Sequence, residues 1–281
     1  PRHWRQRVIE RFSQFPMDLR DRARAVRFGD VPVLLVHPDW EKPAPTVLWM
    51  HGRTAFKELD PGRYLRWMRA GIAACAIDMP GHGERRIEGW DHPSHTLDSL
   101  EQSGGEIDGI VERLAHPDWN GVFDLDRLGI GGMSMGGMAT LLRLCSPHTF
   151  TCAAVESTSG WLSGLYLPEG SDHSARIATH ATERVKQVER LDPMRHLGGF
   201  RPLPLLALHS KADELVPFSV QEHFLTRLRE HYRERGVGGS MIEVVTWETT
   251  GAPQEHSGFG RVSNDAKNLQ VAFLQRCLQA S

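Results

Sequence analysis

One stretch of the chain reads LGIGGMSMGGMA and runs from Leu128 to Ala139. Its first residues are typical of a short buried strand and its last residues begin a helix, so a very tight turn must lie between them. The turn carries Gly132-x-Ser134-x-Gly136, the pattern of a nucleophile elbow. Where a strand turns so sharply into a helix, side chains at the flanking glycine positions would collide. The stretch therefore predicts a serine in a strained conformation with an exposed hydroxyl; the alternative is a glycine-rich turn without chemistry.

Composition and charge exclude several classes of protein. The 281 residues include 33 basic and 35 acidic ones, for a net charge of −2, which gives no electrostatic case for nucleic acid or for an anionic membrane. No apolar run reaches transmembrane length and no signal-peptide core begins the chain. The four cysteines, Cys75, Cys145, Cys152 and Cys277, stand in apolar contexts without a CxxC pair. We therefore expect buried free thiols and a cytoplasmic protein. We expect no nucleic-acid or membrane partner, and the protein could form a homodimer.

Strand and helix patterns alternate along most of the chain, which predicts one α/β domain over residues 1–281 with a parallel sheet covered on both faces. The first two strands, separated by a tight turn at Gly29-Asp30, are expected to form an antiparallel hairpin. The predicted strands are Ala25–Phe28, Val31–His37, Thr46–Met50, Ile72–Ile77, the strand before Ser134, Thr151–Val155, Pro204–His209 and Met241–Trp247. The predicted helices are Trp4–Phe15, Gly62–Ala70, Leu97–Ala115, the helix after Ser134, Ser219–Arg235 and Asn264–Leu278; the last has an apolar stripe of Leu269, Val271, Ala272, Phe273 and Leu274.

One interval interrupts this alternation. Nearly fifty residues separate Val155 from Pro204, more than one crossover helix needs. They contain an aromatic and glycine-rich part at 160–167 and a polar helical pattern over Ala175–Leu191. We expect residues 157–202 to form a lid or cap over the strand ends; a plain crossover with a long surface loop is the alternative.

A serine nucleophile needs a base and an orienting acid, and in a parallel sheet both are expected just past strand ends. Asp213 follows the strand Pro204–His209, and His256 lies in the loop after the last strand. The order Ser134, Asp213, His256 is that of α/β-hydrolase triads. Asp213 could instead cap the next helix, and Glu156, at another strand end, or the adjacent Glu214 could serve as the acid.

Attack on a carbonyl also needs N–H donors for the oxyanion. The elbow supplies the backbone N–H of Met135 at the start of its helix. The loop after Thr46–Met50 supplies the second donor, for which we choose the N–H of Arg53, because Gly52 permits a close approach. A simple strand-exit turn is the alternative interpretation of this loop.

Five motifs follow one another over residues 31–281: His51-Gly52, Asp78-x-Pro80-Gly81-His82-Gly83, Gly132-Met-Ser134-Met-Gly136-Gly137, Asp213-x-x-Val216-Pro217 and His256-x-Gly258. Together they resemble the α/β-hydrolase superfamily, in particular its carboxylesterase, dienelactone-hydrolase-like and prolyl-oligopeptidase-like branches. The resemblance implies a mostly parallel eight-stranded sheet with an antiparallel second strand, a Ser–His–Asp triad and no cofactor. Dienelactone hydrolases differ in having cysteine at the position of Ser134, and oligopeptidases carry a propeller domain for which this chain has no room.

The implied function is a serine hydrolase that cleaves small or medium carboxylic esters through an acyl-enzyme. A peptidase or thioesterase with the same triad, and a non-catalytic binding protein with this fold, are the alternatives. The glycines near Ser134 do not complete a dinucleotide-binding pattern and no His/Cys cluster has zinc spacing, so we expect no cofactor and no metal. The residues expected to line the substrate pocket are Phe56, Trp90, Trp161, Leu162, Leu165 and Tyr166; packing of the lid against the sheet is the alternative use of these side chains. Arg53 and Lys57 could attract a substrate carboxylate or be solvated.

Overall fold

The computed structural model of the chain describes residues 15–167 and 182–279. Within these ranges, eight strands form one sheet: β1 (Ala23–Phe28), β2 (Val31–Val36), β3 (Ala44–Met50), β4 (Ala73–Ile77), β5 (Phe123–Met133), β6 (Cys152–Glu156), β7 (Leu205–Ser210) and β8 (Ile242–Trp247). The helices are α1 (Met17–Arg20), α2 (Pro61–Arg69), α3 (Thr96–Leu114), α4 (Met135–Arg143), α5 (Leu162–Tyr166), α6 (Thr182–Leu191), α7 (Phe218–Glu234) and α8 (Ser263–Gln279).

The sheet has the order β1-β2-β4-β3-β5-β6-β7-β8. β2 pairs antiparallel with β1 and with β4, and every other pair is parallel. The predicted hairpin and the predicted eight-stranded, mostly parallel sheet with an antiparallel second strand are thus confirmed. Because β3, β5, β6 and β7 run in the same direction, their carboxyl ends meet at one edge, and the loops that follow them meet there too.

Every residue of β2, β3, β4, β6 and β7 is buried, as expected for strands with helices on both faces. On one face the core includes Leu100 and Ile107 of α3 and Leu225 of α7. On the other face Trp67 of α2 packs in the same apolar cluster as Phe273 of α8. The sheet is therefore a buried layer between two helical layers.

The predicted apolar stripe of the last helix is partly wrong. Phe273 and Leu274 are buried, but Leu269 is 39% exposed, and Gln270 takes the inward position. The buried residues of α8, Ala266, Gln270, Phe273, Leu274 and Leu278, have helical spacing with one polar member. The inward glutamine has hydrogen-bond partners that the sequence alone does not reveal, described below.

The predicted N-terminal helix lies outside the described residues except for Phe15. Part of the interval predicted as a lid, residues 168–181, also lies outside them. On the described side of the interval, Arg184 of α6 forms an ion pair with Asp98 of α3 at 2.6 Å, so α6 rests on the helix that follows β4. Within the described ranges, no helix combines the length and apolarity needed to cross a membrane.

Candidate active site

Ser134 occupies the turn between β5 and α4. Its backbone has φ 52° and ψ −117°, a conformation that residues with a side chain rarely adopt. The Ser134 N–H donates to the carbonyl oxygen of Glu156 at 2.8 Å, and the Ser134 carbonyl oxygen accepts from the Thr158 hydroxyl at 2.7 Å. The strained turn is therefore held in place by the end of β6 and the residues that follow it.

The elbow glycines have the steric role that the sequence predicts. A Cβ atom at Gly132 would lie under 3.0 Å from the backbone of Gly136, and a Cβ atom at Gly136 would lie under 3.0 Å from the carbonyl oxygen of Met50. Backbone atoms of a central strand cannot move aside cheaply, so neither position accepts a side chain without displacing β3 or α4.

His256 and Asp213 converge on Ser134 although they come from separate loops. The His256 Nε2 atom lies 2.8 Å from Ser134 Oγ, and His256 Nδ1 lies 2.8 Å from Asp213 Oδ2 and 3.0 Å from Oδ1. Both partners of the serine are buried, each 5% exposed. An ionised carboxylate only accepts hydrogen bonds, so the proton of a neutral His256 belongs on Nδ1, and Nε2 is the acceptor for the serine hydroxyl.

The Asp213 carboxylate is oriented by its own loop. Its Oδ1 atom accepts hydrogen bonds from the backbone N–H groups of Leu215 at 2.9 Å and Val216 at 2.8 Å. Asp213 thus orders the turn before α7 but does not cap that helix, whose N-cap residue is Pro217 without a side-chain hydrogen bond, so the alternative interpretation is wrong. The Oδ2 atom of Asp213 faces His256. A second histidine, His209 at the end of β7, donates from Nε2 to the Val216 carbonyl oxygen at 2.8 Å and lies 3.4 Å from Asp213 Oδ2. Burial lowers the pKa of His209.

The alternative acids point elsewhere. The Glu156 carboxylate accepts two hydrogen bonds from Arg63, at 2.7 and 2.8 Å, and one from Gln270 at 2.9 Å. Glu214 is exposed. Of the three carboxylates considered from the sequence, the structure brings only Asp213 to His256.

The His256 loop is held by a residue that the sequence analysis missed. Glu255 accepts hydrogen bonds from the backbone N–H groups of Thr250 and Gly251, and from the hydroxyl of Ser210 at 2.9 Å. These donors, led by the N–H of Thr250, lower the pKa of Glu255 to about 2. The backbone of Glu255 is left-handed, with φ 51°, so the carboxylate holds a strained loop one residue before the histidine.

The loop after β3 approaches the serine closely. A Cβ atom at Gly52 would lie 3.3 Å from the Cβ atom of Ser134. Among the described residues, no hydrogen bond occupies the backbone N–H of Arg53 or of Met135, and both residues line the same cavity as Ser134. Met135 is the first residue of α4, where the N–H has no partner within the helix. The arrangement leaves two backbone donors beside the serine.

His51 fixes the shape of this loop. Its Nε2 atom accepts a hydrogen bond from the backbone N–H of Met79 at 3.0 Å, so the proton lies on Nδ1, which donates to the Gly52 carbonyl oxygen at 2.7 Å. Burial lowers the pKa of His51 to about 4, so the ring is neutral at pH 7. The neutral ring thus connects the β3 loop to the loop after β4.

A cavity of about 710 Å³ opens beside Ser134 and His256. Three of the residues predicted to bind substrate line it: Phe56, Leu165 and Tyr166. Apolar lining is also provided by Leu59, Met138, Leu215 and Val216, and charged lining by Arg53, Asp60, Arg63 and Lys267. The cavity therefore has a largely apolar part and a charged part, with the serine between residues of both kinds.

The other three predicted pocket residues are not among those that line the cavity. Leu162 is 0% exposed within the apolar core. The ring of Trp161 packs on His223 of α7, with centroids 4.3 Å apart. The ring of Trp90 stacks on His95, with centroids 5.4 Å apart and planes 3° apart. These side chains are used in packing, and a part for them in substrate binding stays a prediction.

Lys57 is not solvated and does not face the cavity. Its Nζ atom lies 2.9 Å from Asp78 Oδ2, 2.8 Å from Glu58 Oε1 and against Glu84. Burial on its own lowers the pKa of Lys57, but the neighbouring carboxylates of Asp78 and Glu58 outweigh it and the pKa is raised. Lys57 therefore serves to hold the loop after β4. In the described part of the chain, no three His, Cys, Asp or Glu side chains are grouped as metal ligands would be.

Comparison with known proteins supports the same fold. Esterase YjfP of Escherichia coli is 27% identical over 213 residues, which are 74% of this chain and 84% of that protein. An acylaminoacyl peptidase of Pyrococcus horikoshii superposes with a TM-score of 0.70 at 18% identity; the match covers 92% of this chain but only 42% of the peptidase chain. Esterase 2 of Thermogutta terrifontis, phosphoramylated by tabun, superposes with a TM-score of 0.65 at 16% identity, covering 92% of this chain and 97% of that chain.

The model of the prolyl oligopeptidase family matches residues 64–281. The match includes the elbow serine, the aspartate and the histidine that meet in the structure, and it covers most of the chain. The protein therefore belongs to the prolyl oligopeptidase family and is a serine hydrolase with the α/β-hydrolase fold.

Proposed function

We propose that this serine hydrolase is a carboxylesterase that cleaves small or medium carboxylic esters through an acyl-enzyme on Ser134. The observation that carries the proposal is the continuous hydrogen-bonded chain from Asp213 through His256 to Ser134, with each contact at 2.8 Å, at the wall of the cavity. A hydroxyl held in this way can lose its proton as it attacks a carbonyl. The esterase named above as a relative supports an ester as the substrate.

In the acylation half of the reaction, Ser134 Oγ attacks the ester carbonyl carbon while His256 Nε2 takes the hydroxyl proton. The tetrahedral oxyanion is stabilised by the backbone N–H groups of Arg53 and Met135. Asp213 keeps the proton of His256 on Nδ1 and stabilises the imidazolium that forms. When the intermediate collapses, the alcohol leaves with the proton that His256 had taken, and the acyl group remains on the serine.

Deacylation repeats these steps with water. His256 Nε2 takes a proton from a water molecule as its oxygen attacks the acyl carbon, and the same two N–H groups bind the second oxyanion. His256 then returns the proton to Ser134 Oγ, and the carboxylic acid is released. No redox step occurs, so the residues described are sufficient for the full cycle.

We place the apolar part of the substrate against Phe56, Leu165 and Tyr166, which line the cavity beside the serine. Two of these belong to α5, within the interval 157–202, so the proposal includes a cap formed by that interval over the strand ends of a single domain, residues 1–281. Asp192 supports this cap, because its carboxylate accepts hydrogen bonds from the N–H groups that begin α5, at 3.0 and 2.9 Å.

The test is hydrolysis of p-nitrophenyl acetate together with covalent labelling by a fluorophosphonate probe. Ser134→Ala should lower kcat by at least about a thousandfold while leaving the unfolding transition in place, since losing the nucleophile leaves only background catalysis. Mass spectrometry should find the probe on Ser134. A wild-type protein that neither turns over the ester nor accepts the probe would favour a non-catalytic binding protein.

A peptidase is the second candidate, because the family is named for an oligopeptidase and the superposed Pyrococcus protein is an acylaminoacyl peptidase. The two functions use the same triad and differ in the leaving group. Matched p-nitrophenyl esters and p-nitroanilides of one acyl group separate them, and thioesters of that acyl group test the thioesterase alternative. A larger kcat/KM for the anilide would replace the esterase proposal.

We also propose a cytoplasmic location, supported by free thiols at Cys75, Cys145, Cys152 and Cys277. Fractionation of cells that make the untagged protein tests this. Light scattering of the purified protein decides between the monomer and the homodimer that the sequence analysis considered.

A further inference from the structure

Three polar side chains meet beneath the active site, and none of them belongs to the triad. Arg63 of α2 donates to both carboxylate oxygens of Glu156, and its Nη1 atom also donates to Gln270 Oε1 at 2.6 Å. Gln270 Nε2 completes the set by donating to Glu156 Oε1 at 2.9 Å. The three residues are 5%, 1% and 0% exposed, so the network is largely buried and only Arg63 reaches the wall of the cavity.

Each member of the network belongs to a segment that carries one part of the active site. Arg63 lies in α2, the first helix after the loop of Gly52 and Arg53. Glu156 ends β6, and its carbonyl oxygen accepts the N–H of Ser134 at 2.8 Å. Gln270 lies in α8, the first helix of more than one turn after His256. The network therefore joins α2, the end of β6 and α8, which follow the loop of Gly52 and Arg53, hold the elbow, and follow the loop of His256.

Stability alone does not explain such a network. Removing an arginine and a carboxylate from water costs as much as their attraction returns, and apolar residues of similar volume usually serve a core equally well or better. What directional hydrogen bonds add is a fixed relative position of the elements they join. Stacking of the Arg63 guanidinium over the Trp49 ring, 4.1 Å from its centroid, restricts the arginine further.

Resting on the proposed function, we infer that Arg63, Glu156 and Gln270 are positioning residues that set the distance between Ser134 and the rest of the active site. The effect passes through the Glu156 backbone, whose carbonyl oxygen holds the strained turn. A displacement of about 1 Å at a reacting atom is enough to lower a rate about a hundredfold. The network touches neither His256 nor Asp213, so it does not act as a second acid.

The decisive variant is the triple substitution R63M/E156L/Q270M, which replaces the network by apolar side chains of similar length. Asp60, which lies 3.3 Å from Arg63, keeps Lys267 at 2.9 Å in this variant. We expect an unfolding midpoint close to that of the wild type, because no buried charge is left unpaired. We expect kcat for p-nitrophenyl acetate to fall about 30- to 100-fold with KM changed less than about threefold. The rate of fluorophosphonate labelling of Ser134 should fall in parallel, because the first step of that reaction is the same attack.

A single substitution covers the case in which the triple variant does not fold. R63K keeps the positive charge beside Glu156 but cannot make both bonds of the guanidinium. We expect a folded protein with kcat lowered about tenfold and KM unchanged. The matched control is R85M/E106L, which removes another bidentate ion pair, at 2.7 and 2.5 Å, that joins the loop after β4 to α3; its kcat should stay within about twofold of the wild type.

Two results would overturn the inference. One is a folded triple variant, or R63K, whose kcat equals that of the wild type. The other is a rise in KM at constant kcat, which would mean that Arg63 contacts the substrate from its place in the cavity wall. Failure of the proposed function looks different, since the wild-type protein itself would then neither react with the probe nor hydrolyse the ester.

Discussion

Replacing Asp213 by asparagine tests the mechanism most directly, because the structure dictates which way the new amide must point. Oδ1 of Asp213 accepts two backbone N–H groups, from Leu215 and Val216, whereas Oδ2 faces His256 Nδ1 at 2.8 Å. An asparagine keeps its oxygen where the two N–H donors are, since the reverse orientation would lose both bonds at a cost of about 1–3 kcal/mol. The NH2 group then takes the place of Oδ2.

An NH2 group at that place lies nearer to His256 Nδ1 than the remaining oxygen does, 2.8 Å against 3.0 Å, so it donates to Nδ1 and favours the ring proton on Nε2. Nε2 then has no lone pair for the Ser134 hydroxyl, which lies 2.8 Å away. We expect kcat to fall about 10⁴-fold, the loss seen when the same exchange is made in a serine protease triad. That loss corresponds to about 5.5 kcal/mol of transition-state stabilisation. KM should change little, because the amide fills the volume of the carboxylate.

The assay combines p-nitrophenyl acetate kinetics with nitrogen-15 NMR of His256, which reports the position of the ring proton. Glu214→Gln is the matched control, since it makes the same chemical change in the adjacent, exposed residue and should keep kcat within about twofold. If Asp213→Asn keeps kcat within tenfold of the wild type while its ring proton has moved to Nε2, the assignment of His256 as the base is wrong.

Three further predictions use other parts of the site. Gly136→Ala forces its Cβ atom against the carbonyl oxygen of Met50, so it should lower the free energy of unfolding by about 1–3 kcal/mol and cause a large loss of kcat. The control is Gly109→Ala, whose Cβ atom meets open space on α3 and which should be neutral or stabilising. Thermal unfolding and kinetics compare the two variants. Asp192→Asn leaves an N–H group at the start of α5 without its acceptor and should raise KM about three- to tenfold at nearly constant kcat; an unchanged KM would remove α5 from the substrate pocket. Burial lowers the pKa of folded His51 from 6.5 to about 4, so as pH falls below 6.5 this side chain binds a proton in the unfolded chain but not in the folded one. His51 should therefore lower the free energy of unfolding by about 2 kcal/mol between pH 7 and pH 5. In urea unfolding, His51→Gln should show a correspondingly smaller loss of stability over this pH range.

The sheet could be predicted because its signals are local. Continuous apolar runs such as those of β3 and β4 mark buried parallel strands, and the helical pattern between them supplies the crossover. The elbow is equally local, because Gly132 and Gly136 are required by backbone atoms only a few residues away or on the adjacent strand. The order of the strand ends then brings Asp213 and His256 near the serine with no further information.

The pocket could not be predicted in the same way, because a glycine-rich stretch with aromatic residues fits either an open lid or close packing of the rings. The stretch 160–167 around Trp161 favours a lid over a substrate, and Trp90 is expected in the same apolar pocket. In the structure, a Cβ atom at Gly164 would overlap the ring of Trp161, and a Cβ atom at Gly81 would overlap Trp90. The glycines therefore make room for the rings to pack against the protein itself, which depends on contacts that a sequence pattern does not contain.

Long-range polar partners were missed for a related reason. Gln270 has the helical spacing of a core position, as Ala266, Phe273 and Leu274 do, and a periodicity argument that ignores residue type would have found it. Treating glutamine as a surface residue moved the stripe onto Leu269 instead. Its true partners lie 207 and 114 residues away, so only the folded chain brings them together.

The loops around the serine are held by polar groups, whereas the sheet beneath them is held by apolar packing, and this difference follows from what the site must do. Apolar contacts fix how much volume a segment fills but leave its orientation loosely defined. Attack on a carbonyl requires a defined direction for N–H groups and lone pairs. The loops that supply them are accordingly oriented by hydrogen bonds: by His51 after β3, by Glu255 before His256, and by two backbone N–H groups at Asp213. Directional bonds therefore occur where chemistry needs direction, and Glu156, which holds the elbow through its carbonyl oxygen, follows the same rule inside the core.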